Sequence, residues 1–261
     1  MRRRQRIELI WELTQREVTG RYKGSLLGIG WSFAYPLLML AIYTFVFSSI
    51  FRARWPGSSN HSGLLFATNL FAGLVVFNLV SECATKAPAL IISQANFVKR
   101  VVFPLEALGV VTVAAAAFHA AIGVMLLLLF KWGATGYLSV SILSLPLLSI
   151  PLLAGTLGLV WMVSAASVYI RDLALLVNVG LSMLLFLSPI FFPASLYPER
   201  WRPLLALNPL VWMIEQTRAV VIDGQWPNLA QLAIATLVGL LVAWLGYRFF
   251  QKARRGFADV L

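Results

Sequence analysis

The segment VSAASVYIRDLALLVNVG, residues 163–180, sets a single Arg-Asp pair between two long uncharged runs, and the reading of that pair decides the fold. Residues 143–170 carry no charge on one side, and residues 174–193 carry none on the other. Predominantly apolar runs of roughly 18 or more residues read as helices that cross a bilayer. The two runs together are too long for one crossing, so Arg171-Asp172 reads as a tight turn between a fourth and a fifth span. Working outward, further apolar runs at about 29–51, 63–84, 105–130 and 228–248 bring the expected count to six. Pro146 and Pro151 mark the start of the fourth helix or kink it, because each removes a backbone donor.

Charge distribution supports that division. Six spans place both termini on one side, and both are basic. Of the 21 Lys and Arg residues, fifteen then fall on that side and six opposite, which makes it the cytoplasmic side. Fusing the fourth and fifth spans would export the basic tail and destroy the agreement. The whole chain has the matching composition: 261 residues, 60% hydrophobic and 12% charged, with a mean hydropathy of +0.83. A soluble domain carries about 25% charged residues. The net charge of +11 reads as topology-setting charge beside apolar spans rather than as a nucleic-acid surface. MRRRQR at the start resembles the basic region of a signal peptide, but no apolar core or cleavage site follows, so the N-terminus is expected to be retained.

Three segments are not plain spans. In the first 22 residues Ile7, Ile10, Trp11, Thr14, Val18 and Tyr22 share a helical face opposite arginines and glutamates, the pattern of a helix lying on the membrane surface. Between the last two spans, Asn208-Pro209 is a helix start, since Asn caps and Pro suits the first helical position. Leu210, Ile214, Thr217 and Val221 follow on one face, with Glu215 and Arg218 read as lying outside it and Gly224 as a stop. A shorter helical piece is expected at 198–207. Residues 87–108 are too polar to span and too patterned for a linker, and read as a short cytoplasmic helix that docks on a soluble partner or lies on the membrane.

The chemistry that is missing narrows the function. The sequence contains neither a phosphate-cradling G-x-x-x-x-G-K-[ST] nor a G-x-G-x-x-G. Two histidines and one cysteine, Cys83, give no metal-ligand pattern and no intrachain disulfide. Glu82 and Glu106 flank a basic loop and read as local ion pairs or as side chains snorkelling to the interface. His119, in the middle of the third span, reads as an interhelical hydrogen bond, with proton coupling as the alternative. A chain without a catalytic cluster or an intramembrane relay must take its energy from elsewhere. The ring-rich spans offer a place for cargo: Trp31, Tyr35, Tyr43 and Phe47 in the first, Phe191 and Phe192 at the end of the fifth. Aromatic faces stack on sugar rings, and they equally build lipid-facing belts.

Five blocks, RYKGSLLGIGWSFAYPLL, NFVKRVVFP, YIRDL, LSPIFFPASLYP and NPLVWMIEQTRAVV, in this order and spacing resemble the ABC-2-type permeases that export polysaccharides such as O-antigen, capsule and teichoic acid. One departure is Leu105 after Phe103-Pro104, where the family often carries a basic residue. The resemblance implies an all-α polytopic protein of the bacterial inner membrane forming one transmembrane domain over 1–261. A homodimer would pair with two copies of a separate ATPase, which holds ATP and Mg, so no cofactor is expected in this chain. It further implies an interface helix at 1–22, a coupling helix at 87–100 whose Asn96, Phe97, Lys99 and Arg100 meet the ATPase, and gate helices at 196–223 with Pro189, Tyr197, Asn208 and Pro209. The implied cargo is a polymer on an undecaprenyl-type lipid whose pyrophosphate docks at Arg21, Tyr22 and Lys23, with the ring-rich first and fifth spans lining a channel at the subunit interface. Export of teichoic acid, capsule or a small lipid or drug is the alternative within the class, and a gradient-coupled transporter using His119 the alternative outside it.

Overall fold

The computed structural model describes residues 3–46, 63–94, 104–201, 205 and 208–260, and these are helical with no strand among them. In chain order the helices are α1 (Arg3–Gly20), α2 (Trp31–Thr44), α3 (Gly63–Lys86), α4 (Ala89–Ile92), α5 (Glu106–Thr135), α6 (Leu145–Tyr169), α7 (Leu173–Leu187), α8 (Pro209–Val221), α9 (Leu229–Ala253) and α10 (Phe257–Val260). Four described helical stretches, those of α3, α5, α6 and α9, are long and apolar enough to cross a membrane, and α2 and α7 are shorter apolar helices. Each expected run therefore holds one helix. The Arg171-Asp172 pair breaks the helix: α6 ends at Tyr169, Ile170 turns extended, and α7 starts at Leu173. Pro146 lies in the first turn of α6 and Pro151 inside it.

Helix α3 is the hub. Within its spanning window 78% of residues are buried, against 17% for α9, because α3 is wrapped by its neighbours while α9 turns most of its surface outward. Val75 and Phe71 of α3 pack on Gly123 and Phe130 of α5, and from α8 Leu210, Met213, Ile214, Val220 and Val221 join the same core. Around α4 a smaller core gathers Ile91 of α4, Leu105, Ala165 and Val168 of α6, Phe250 of α9 and Phe257 of α10. Tyr169 donates to the Ala253 carbonyl at 2.7 Å, and Arg254 pairs with Glu106 at 3.0 Å, tying the tail to α5 and α6.

Helices α6 and α9 meet backbone to backbone. A Cβ on Gly158 would fall on the Val242 carbonyl, one on Gly246 on the Gly158 carbonyl, and one on Gly239 would lie 2.7 Å from the Pro151 carbonyl. Small residues at these positions let two apolar helices approach without a side-chain layer between them. Gly20, Gly24 and Gly28, spaced by four, do something else. Nothing stands within 4 Å of a Cβ at any of them, and Gly24 and Gly28 have φ of +85° and +50°. They make the elbow between α1 and α2, a backbone path that L side chains resist.

The amphipathic α1 splits its expected apolar face. Val18 is buried and Leu9, Ile10, Leu13 and Thr14 are partly covered, whereas Ile7 and Trp11 stay more than 60% exposed. Of the stretch 87–100 expected to hold a coupling helix, the described part contains the single turn α4; Asn96, Phe97, Lys99 and Arg100 lie outside the described residues, as does Phe47. Of the piece expected at 198–207, the described residues show a 3-10 turn at Glu199–Trp201 and a helical Leu205.

Candidate functional site

A cavity of about 610 Å³ opens where the α1–α2 elbow faces α3 and α5. Arg21 and Tyr22 arrive from the elbow, Trp31 and Tyr35 from successive turns of α2, Asn78 and Glu82 from α3, and His119 from α5. Two groups that sequence reading kept apart, the cationic threshold and the first rings of the channel set, thus share one wall. Lys23 is exposed and is not part of the lining.

The polar side of the cavity is a connected cluster. The Arg21 Nη1 donates to Glu82 Oε1 at 2.8 Å, and Lys86 Nζ lies 3.2 Å from the same oxygen. Lys86 also binds Glu17 of α1 at 2.8 Å. His119 Nδ1 sits 3.0 Å from both carboxylate oxygens of Glu82, and its Nε2 is 3.2 Å from the Tyr22 hydroxyl. One tautomer satisfies all of this: Nδ1–H donates to the carboxylate, and Nε2 accepts from the phenol. The reading of His119 as an interhelical hydrogen bond and of Glu82 as ion-paired holds. Which span would meet which was not readable, because register between helices is a tertiary property. Glu106 likewise pairs with Arg254, and its carbonyl accepts from Trp161 Nε1 at 3.0 Å.

The aromatic set divides. Trp31 and Tyr35 are four residues apart and flank the cavity, 39% and 54% exposed. Tyr43 is twelve residues from Trp31, about 120° further round at 100° per residue. It packs instead on the core, its ring 5.6 Å from that of Phe191, which is itself 6.0 Å from Phe186. Phe191 is buried and Phe192 exposed.

At the opposite end, Pro189, Tyr197, Asn208 and Pro209 converge around Ser188. The Tyr197 hydroxyl donates to the Ser188 carbonyl at 3.3 Å, and Asn208 Nδ2 to the Ser188 hydroxyl at 2.9 Å. Asn208 Oδ1 accepts from Leu210 N at 2.9 Å, so the helix start at Asn208-Pro209 is made by the cap read from sequence. A small apolar cavity of about 310 Å³ lies beside Tyr197, Trp201 and Asn208. Burial pushes the Tyr197 phenol above its ordinary value.

Arg218 overturns the placement of its charge outside the α8 face. It is 3% exposed, with Nε donating to the Asn69 carbonyl and Nη2 to the Ile190 carbonyl, both at 3.0 Å, and Nη1 on Glu215 at 3.1 Å. The signal was available, since Arg218 follows Ile214 by four residues and must share its face. Burial pulls the guanidinium down to about 10, still charged at neutral pH. Lys131, one residue past the apolar run at 105–130, is also buried and donates to the Ile222 carbonyl at 2.8 Å, while Ser141 donates to the Val220 carbonyl at 2.7 Å. Cation and hydroxyl together satisfy the carbonyl end of α8. Among the described residues no three His, Cys, Asp or Glu side chains gather to hold a metal.

Comparison with known proteins places these elements in context. The family model described as ABC-2 type transporter matches residues 8–222. An O-antigen export system permease protein RfbA of Klebsiella pneumoniae is 28% identical over 256 residues, covering 97% of this chain and 95% of the relative. The protein of the same name from Myxococcus xanthus is 28% identical over 255 residues, covering 96% and 94%. The polysialic acid transport protein KpsM of Escherichia coli is 27% identical over 245 residues, covering 91% and 92%.

Proposed function

The chain belongs to the ABC-2 type transporter family, and from that premise we propose that it is the membrane subunit of an ATP-driven exporter of lipid-linked polysaccharide, with an O-antigen-like polymer as cargo. The observation that carries the reading is the cavity in which Arg21 and Tyr22 stand beside Trp31 and Tyr35. Guanidinium chemistry suits a pyrophosphate, and the adjoining rings suit the sugars that follow it. Relatives named for O-antigen export and polysialic acid transport support this class of cargo.

In this reading α2, α3, α5, α6, α7 and α9 are six spans in a bacterial inner membrane, with both termini cytoplasmic. Two copies pair through α2 and α7; that α7 buries none of its residues within one chain supports a partner there. Two ATPase copies, carrying ATP and Mg, dock near α4 and the segment that follows it, and α8 with the 3-10 turn before it forms the external gate. Capsule or teichoic-acid export is the nearest alternative.

The test is co-expression with the ATPase encoded nearby, followed by assay of lipid-linked glycan at the cell surface. Replacing Trp31 and Tyr35 together with Ala is expected to cut surface polymer about tenfold or more at unchanged protein level, the size of effect given by losing two stacking contacts of about 1 kcal/mol each. Normal export from that double variant would sink the cavity assignment, and a stable, active protein purified without any ATPase would sink the exporter reading.

A further inference from the structure

The ion pairing of the cavity wall is at odds with a simple phosphate clamp. Arg21 and Lys86 on the wall are both bound to Glu82, and Lys86 is bound as well to Glu17 of α1, which stands behind the lining. An anion entering this cluster meets cations that are already held by carboxylates and must take one of them away. Arg21 is the cation that can be taken. Its side chain is 45% exposed and gives Glu82 a single Nη1 bond, whereas Glu82 is 15% exposed. A guanidinium offers five N–H groups and binds phosphate with a two-bond fork. Glu82 is not stranded when Arg21 leaves, because Lys86 at 3.2 Å and His119 at 3.0 Å remain on it. Losing a buried carboxylate's last partner would be costly, and this arrangement avoids it.

Resting on the reading of this cavity as the docking place, we propose that Glu82 occupies Arg21 as a built-in stand-in for phosphate, so that a phosphate- or diphosphate-bearing ligand loads by exchanging with it. The exchange has a mechanical output. In the empty state Arg21 ties the elbow to α3, and Lys86, shared between Glu82 and Glu17, ties α1 to the same turn of α3. Removing Arg21 draws Lys86 toward Glu82 and away from Glu17, so loading at the elbow loosens α1 from α3. The cluster then acts as a latch opened by an anion rather than as a preformed anion trap.

The experiment uses the full chain in lipid nanodiscs and measures binding of farnesyl diphosphate, inorganic pyrophosphate and farnesol by titration calorimetry. Glu82→Gln is expected to bind farnesyl diphosphate at least fivefold more tightly than the unaltered chain, and adding Arg21→Gln is expected to abolish the gain. Glu82→Asp, which keeps the charge but shortens its reach, is expected to give a smaller gain and serves if the Gln variant does not fold. Farnesyl diphosphate binding far more tightly than pyrophosphate assigns the site to a lipid headgroup; equal binding assigns it to phosphate alone, and either result keeps the exchange. Unchanged or weaker diphosphate binding by both Glu82 variants, with the unaltered chain binding normally, overturns the exchange and leaves the docking reading intact. A gain that appears equally for farnesol overturns it too. No diphosphate binding by any variant removes the docking reading and the exchange with it.

Discussion

Arg218 shows what one side chain can hold together. Its planar fork reaches the backbone of α3 at Asn69 and the chain beyond α7 at Ile190 while its own backbone belongs to α8. Replacing it with Met is expected to cost about 2–4 kcal/mol, the range for losing two hydrogen bonds from a charged donor at buried acceptors, seen as a lowered unfolding temperature in detergent. Lys is not expected to rescue, because a single ammonium cannot span both carbonyls and remains a buried charge. Full stability in Arg218→Lys would show that charge alone matters. At this scale the sequence was legible wherever chemistry is local. Asn208-Pro209 announced its helix because the cap bonds two residues along its own chain. The contacts of Arg218, Lys131 and His119 reach 149, 91 and 37 residues away, and nothing local encodes such partners.

Among the elements, glycine does two opposite jobs that spacing alone does not separate. The triplet Gly20, Gly24 and Gly28 was equally consistent with close helix approach and with a bend; the positive φ of two of them and the open space around all three select the bend. Gly158, Gly239 and Gly246 serve close approach, on helices whose mutual contact the sequence did not declare. Gly158→Ala sets a methyl on the Val242 carbonyl, a backbone atom that cannot rotate away. A loss of about 3 kcal/mol or more is expected, at the upper end of overpacking costs, measured by thermal unfolding or by the fraction of protein recovered in mild detergent. An Ala variant as stable as the original would mean that the two helices separate freely. Gly133→Ala, whose added methyl would meet only Leu64 Cδ2 at an ordinary 3.7 Å, is the control and is expected to change little.

Across the whole molecule, the apolar runs and the Arg171-Asp172 break were readable because a bilayer imposes helix length and polarity on sequence directly. The assembly of those helices around α3 was not, since lipid-facing and protein-facing apolar surfaces have the same composition. The orientation is testable by single cysteines in a background where Cys83 is replaced by Ala. A membrane-impermeant maleimide added outside intact cells is expected to label Gln225→Cys and to leave Lys252→Cys unlabelled until the membrane is opened. Labelling of Lys252→Cys from outside would reverse the topology. One consequence concerns motion. Packed helices usually slide by small rotations of the side chains between them, and where Gly158, Gly239 and Gly246 bring α6 and α9 together backbone meets backbone with no such layer. The two therefore travel as a single beam through any conformational cycle. Among the described joints around that beam, the glycine elbow before α2 and the short turn at Arg171-Asp172 are the ones expected to flex.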